Sequence, residues 1–132
     1  MHPDANPQGP PEKLCVIGEA DPFIARLLQR FAEQSGFRVK IAQTGEAVLS
    51  CAQQDHPTLV ILEPELPGKL RGWEAARILG SGENAQSARV ILCTWMPESD
   101  SLSLVGRELN HLQKPDLHYS DFLDALSAVG IH

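Results

Sequence analysis

Basic residues, aromatic residues and long apolar runs are all scarce in this sequence, and each scarcity removes a class of function. Eleven Lys and Arg stand against 17 Asp and Glu, for a formal net charge of −6, and the basic residues are scattered along the chain. A surface that neutralises nucleic-acid phosphates needs them clustered, so no nucleic acid is expected as a partner. No apolar run approaches the roughly 20 residues that span a bilayer, which argues against a membrane protein. The three cysteines, Cys15, Cys51 and Cys93, form no Cys-x-x-Cys pair and stand among apolar neighbours. They read as reduced, buried thiols, and the expected location is the cytoplasm. Neither Gly-x-Gly-x-x-Gly nor a P-loop pattern occurs, and no Ser, Cys or His nucleophile stands at a strand end with an evident base.

What is present is an ordinary globular composition, 42% hydrophobic and 21% charged, on 132 residues. That length suits one domain with one sizeable core. Residues 1–12 hold four prolines and almost nothing apolar. They are expected to be a disordered leader to a domain at 13–132.

From Lys13 onward two periodicities alternate. KLCVIG (13–18) is a buried-strand pattern. Asp21-Pro22 then supplies an N-cap and a first-turn proline for a helix with Ile24, Leu27, Leu28 and Phe31 inward, stopped at Gly36. FRVKIA (37–42) alternates as a strand, and Thr44 opens a helix carrying Ala47, Val48, Cys51 and Ala52 that ends at Pro57. TLVIL (58–62) is the near-continuous aliphatic run of a central parallel strand and ends in Glu63. A loop at 64–71 leads to a helix with Trp73, Ala76 and Leu79 in register, closed by Gly80, Ser81 and Gly82. RVILCT (89–94) is a fourth strand, 97–108 a weaker helix, and 110–113 a fifth strand. Ser120 is expected to cap a last helix with Phe122, Leu123, Leu126 and Val129 inward.

Five βα units in strict alternation imply an α/β fold, an open doubly wound parallel sheet with helices on both faces. Ligands of such sheets gather at the carboxyl ends of the strands. There the sequence places Glu19 and Asp21 after strand one, Glu63 after strand three, Thr94 at the end of strand four and Lys114 after strand five. Carboxylates, a hydroxyl and an ammonium at one end of a sheet suit a phosphate or metal site. The plain alternative is that polar strand ends simply face solvent.

Four segments, VIGEADPF, PTLVILEPELPG, VILCT and LQKP, in this order and at these intervals, resemble the receiver domains of two-component response regulators. The resemblance covers nearly the whole domain. It implies a flavodoxin-like (βα)5 sandwich with strand order 2-1-3-4-5. It also implies an acceptor Asp at position 63, paired acids at 19 and 20 that hold Mg²⁺, phosphoryl contacts from Thr94 and Lys114, and a switch aromatic at 111.

The chain departs from that pattern where the chemistry lies. Position 63 is Glu, one methylene longer than Asp, and in-line phosphoryl transfer loses about a hundredfold for an ångström of misplacement. Position 20 is Ala in place of a direct metal ligand, and Mg²⁺ tolerates incomplete oxygen cages poorly. Trp95 follows Thr94 where a small residue admits the phosphodonor, and His111 takes the switch position, bringing a group that titrates near neutrality. The loop at 67–72 is one residue longer than the family's usual pattern, and the fourth helix is short.

The expected function is therefore a receiver-like interaction module that is not an enzyme, needs no phosphorylation and carries no cofactor or metal. Its expected partner is a protein, a histidine kinase or an output domain, and Trp95 with the fourth and fifth helices is the candidate surface, including for a homodimer. The alternative is an orthodox phosphoacceptor whose Mg²⁺ is held by Glu19, Asp21 and Glu63. A flavodoxin-like enzyme or nucleotide binder ranks third, since its motifs are missing.

Overall fold

The computed structural model describes residues 13–80 and 88–131. The 1–12 leader and the Ser81 and Gly82 stop lie outside the described residues. Five strands, β1 (Lys13–Gly18), β2 (Phe37–Ala42), β3 (Leu59–Leu62), β4 (Arg89–Thr94) and β5 (Asn110–Gln113), alternate with five helices. These are α1 (Pro22–Gln34), α2 (Gly45–Asp55), α3 (Gly72–Gly80), α4 (Glu98–Val105) and α5 (Tyr119–Ala128). All strand pairs are parallel, in the order β2-β1-β3-β4-β5. This is the flavodoxin-like doubly wound sheet that the alternation requires.

The strand pleat divides the core into two layers. Cys15, Ile17, Leu59, Ile61, Ile91 and Cys93 point to one face, where Ile24, Leu28 and Phe31 of α1 and Phe122 and Leu126 of α5 cover them. Leu14, Val16, Val60, Leu62, Val90 and Leu92 point to the other, against Val48 and Ala52 of α2, Ala76 and Leu79 of α3 and Val105 of α4. β3 is buried at every residue, as its uninterrupted LVIL sequence demands. On the first face Phe31 lies 5.6 Å from Tyr119 and 5.8 Å from Phe122 between ring centroids, which docks α5 on α1.

Local chemistry sets the helix ends. Asp21 Oδ1 accepts hydrogen bonds from the N–H groups of Phe23 (2.9 Å) and Ile24 (3.3 Å), and Thr44 Oγ1 accepts from Ala47 N at 3.1 Å. α4 ends at Val105, short of the expected residue 108, because Gly106 turns into the left-handed region at φ 83° and its N–H donates to Leu102 O. α5 begins one residue before the expected Ser120 cap. His118 is its N-cap, with the His118 N–H donating to Asp121 Oδ2 at 3.1 Å. Leu123, expected inward, is 43% exposed, since Phe122 and Leu126 already fill the stripe that faces the sheet.

Candidate functional site

The carboxyl ends of β1, β3, β4 and β5 bring Glu19, Glu63, Thr94 and Lys114 to one place. Backbone bonds that prolong the sheet fix their positions: Glu19 N donates to Ala42 O at 3.1 Å, Glu63 N to Gly18 O at 3.0 Å, and Lys114 N to Thr94 O at 2.9 Å. The reading that these polar strand ends face solvent is overturned. Glu19 is 4% exposed, Glu63 6%, Thr94 0% and Lys114 5%.

Lys114 Nζ lies 2.7 Å from Glu19 Oε1 and 2.9 Å from Glu63 Oε1. The second contact is a directional hydrogen bond, whereas the first is an ion pair without hydrogen-bond alignment. Burial pulls the lysine pKa down, but the close contacts with Glu19 and Glu63 and their charges outweigh it and hold the pKa above the ordinary value. The remaining carboxylate oxygens are engaged by backbone: Glu19 Oε2 accepts from Asp21 N at 3.1 Å, and Glu63 Oε2 accepts from Glu65 N at 2.9 Å. All four oxygens of the two acids thus have protein partners. Cys93 borders this cluster, and its thiol is pushed up to about 12, chiefly by burial, with Lys114 acting downward and Glu19 and Glu63 upward.

The loop after β3 closes tightly under Glu63. Leu66 N donates to Glu63 O, Gly72 N to Leu66 O and Trp73 N to Pro64 O. Gly72 is required there, because a Cβ on it would collide with the carbonyl oxygen of Glu63. Trp73 is half-buried against the second core layer, with the Arg77 guanidinium 5.0 Å from its ring centroid.

The other site candidates take no part in these ion pairs. Asp21 is exposed and its Oδ1 caps α1, so it joins the site through its backbone N–H to Glu19. Thr94 Oγ1 accepts from Met96 N at 3.1 Å and shapes the turn into α4. Trp95 is 60% exposed. His111 is half-buried on β5, with Nε2 buried and without a hydrogen-bond partner. Gln113 was not singled out from the sequence. Its Nε2 donates to the carbonyls of Thr94 (3.1 Å) and Trp95 (2.9 Å), tying the end of β4 to β5. Its place just before Lys114 is the only sequence hint.

The resemblance implies Mg²⁺ at this end of the sheet, and the donors present do not fit it. Ala20 has no ligand atom, Asp21 caps a helix, and the oxygens of Glu19 and Glu63 are bound by an ammonium and by backbone N–H groups. A hard cation would have to displace Lys114 from both carboxylates and would find too few oxygens in its place.

The family model for the response regulator receiver domain matches residues 15–115. Among solved structures, the signal receiver domain of a modulated diguanylate cyclase from Desulfovibrio desulfuricans superposes with a TM-score of 0.76 at 21% identity, over 90% of this chain and 94% of that one. The receiver domain of a sensor histidine kinase from Pseudomonas aeruginosa, with a magnesium ion coordinated in its active-site cleft, gives 0.75 at 18% identity over 91% and 99%. A CheY-like receiver domain protein from Methanospirillum hungatei gives 0.73 at 19% over 89% and 93%. No curated protein matches the sequence. The likeness to these structures is one of fold, and the family match extends along most of the chain from β1 to the residue after Lys114: the chain belongs to the response regulator receiver domain family of two-component signalling.

Proposed function

We propose that this receiver domain signals by binding other proteins without a phosphorylation cycle, and that it is neither an enzyme nor a carrier of a metal cofactor. The observation that carries this reading is the closed acidic cluster, in which every oxygen of Glu19 and Glu63 already has a partner within the protein. Glu63 sets its carboxylate on Lys114, a crude imitation of the charge that a phosphorylated aspartate presents. No vacancy then waits for Mg²⁺ to neutralise the incoming phosphoryl group, and the chemistry loses its electrostatic support.

The partner in this reading is a protein such as a kinase or an output domain. Trp95, Leu102 of α4 and Leu123 of α5 support that assignment: they are 60%, 46% and 43% exposed, and large apolar side chains anchor interfaces. The same surface would serve a homodimer. The free thiols Cys15, Cys51 and Cys93 suit a reducing cytoplasm. Among the described residues no helix is long and apolar enough to cross a membrane.

Intact-mass spectrometry after incubation with Mg²⁺ and a small acyl-phosphate donor tests this. The expected spectrum has no phosphoryl adduct, while the triple variant Ala20→Asp/Glu63→Asp/Trp95→Ala acquires one. A Mg²⁺-dependent adduct on the unaltered chain that disappears in Glu63→Ala would overturn the reading in favour of an orthodox phosphoacceptor.

A further inference from the structure

Helix α4 is weakly anchored by its own sequence. It buries only Ser101 and Val105, fewer residues than any other helix, and its N-cap, Pro97, makes no side-chain bond. The element it chiefly packs against is α3. A helix with so little apolar surface in the core depends on other contacts to stay in one position.

Two arginines supply them, one from each side. Arg77 of α3 reaches across to the last turn of α4, where its Nε donates to Val105 O at 3.1 Å and its Nη2 to Leu104 O at 2.9 Å. Carbonyls in a last helical turn lack intrahelical donors, and the planar guanidinium meets two of them at once. Trp73, one turn earlier on α3, lies under that guanidinium at 5.0 Å and holds it in place. Gly106, in the left-handed region, turns the chain so that Arg107 runs back to α3, where its Nη1 donates to Gly80 O, the last carbonyl of that helix. The fit is close, since a Cβ on Gly80 would stand 2.8 Å from Arg107 Cδ. Each arginine thus sits at the negative end of the opposite helix, where a cation is favoured.

We propose that Arg77 and Arg107 form a reciprocal latch that gives α4 two states, held on α3 or released from it. Leu102, 46% exposed on α4, is presented in a fixed orientation only in the held state. A partner that binds the held surface therefore closes the latch, and a broken latch weakens that partner by the same factor. This use of the latch rests on the protein-binding reading above, whereas the latch itself is a property of the chain alone.

Hydrogen exchange of the whole chain, read by mass spectrometry beside urea unfolding, tests it. Arg77→Met and Arg107→Met should each speed exchange of the Leu102 to Gly106 amides by about tenfold or more, while β1, β3 and α1 change no more than the urea-measured stability requires. Arg77→Lys keeps the charge but cannot fork to two carbonyls, so it should release α4 nearly as far, and it decides the matter if Arg77→Met does not fold. Unchanged α4 exchange in Arg77→Met, wild-type exchange in Arg77→Lys, or an equal rise in every element would each overturn the latch. A phosphoryl adduct on the unaltered chain would overturn the phosphorylation-independent reading and leave these outcomes as they stand, so the two fail separately.

Discussion

Lys114 holds two buried carboxylates at once, and its removal would leave both without a counter-charge. Breaking a buried pair by deleting one partner costs about 3–5 kcal/mol, because the other charge stays in a low-dielectric site. Lys114→Met is therefore expected to lower unfolding stability by about that amount in urea titrations near neutral pH, whereas an equal stability would contradict the ion-pair account. The pH dependence has a definite sign. A cation whose folded pKa is raised contributes stability that is complete below the ordinary lysine value of 10.5 and is lost as pH climbs through the folded value. The gap between wild type and variant should then be flat near neutrality and narrow in strong alkali. Thiol chemistry gives a second check at this scale. Burial raises the Cys15 and Cys93 thiols, Cys93 to about 12, so iodoacetamide near neutral pH should alkylate half-buried Cys51 well before either. The meeting of Glu19, Glu63 and Lys114 was legible from the strand-end rule alone. The saturation of their oxygens was not, because it depends on side-chain rotamers and on backbone N–H groups that no residue type announces. Asp21 illustrates the same limit: one carboxylate can cap a helix or reach a site, and only geometry decides.

The elements were mostly legible because their apolar periods change cleanly at turn residues. β1, β2, β4 and β5 occupy the spans that the sequence patterns indicate. Helix ends were less so, as the signals there compete. At α5 the pair His118 and Asp121 makes the cap, ahead of Ser120, the stronger residue by propensity. Leu123 lies outside the buried stripe because the helix carries more apolar residues than one face can use. α4 ends early at Gly106, and its N-cap, Pro97, offers no side-chain bond. Hydrogen exchange should accordingly find α4 among the least protected helices and β3 among the most protected elements. The loop that carries Glu63 has the opposite character. Gly72→Ala would drive a methyl group into the Glu63 carbonyl and against Leu66 Cβ at 2.9 Å, and should cost about 1–3 kcal/mol or more in denaturant unfolding. A neutral effect would contradict the tight closure of this loop on Glu63.

At the scale of the whole molecule, β1, β3 and β5 of a five-stranded parallel sheet deliver two acids and a lysine to one edge, where the lysine pairs with both acids. The fold carries the family's architecture, while the resemblance sets the departures at Ala20, Glu63, Trp95 and His111 on the positions expected to run its chemistry. In the reading proposed above, such a receiver changes its message by which partner it meets. The most direct measurement is tryptophan fluorescence during titration with Mg²⁺ and then beryllofluoride, since Trp95 adjoins Thr94 at the end of β4 and reports on that edge. The account predicts no saturable response from the unaltered chain and a response recovered in Ala20→Asp/Glu63→Asp/Trp95→Ala, where Trp73 remains as the reporter. A saturable response in the unaltered chain that vanishes in Glu63→Ala would contradict it and make Glu63 a working acceptor position.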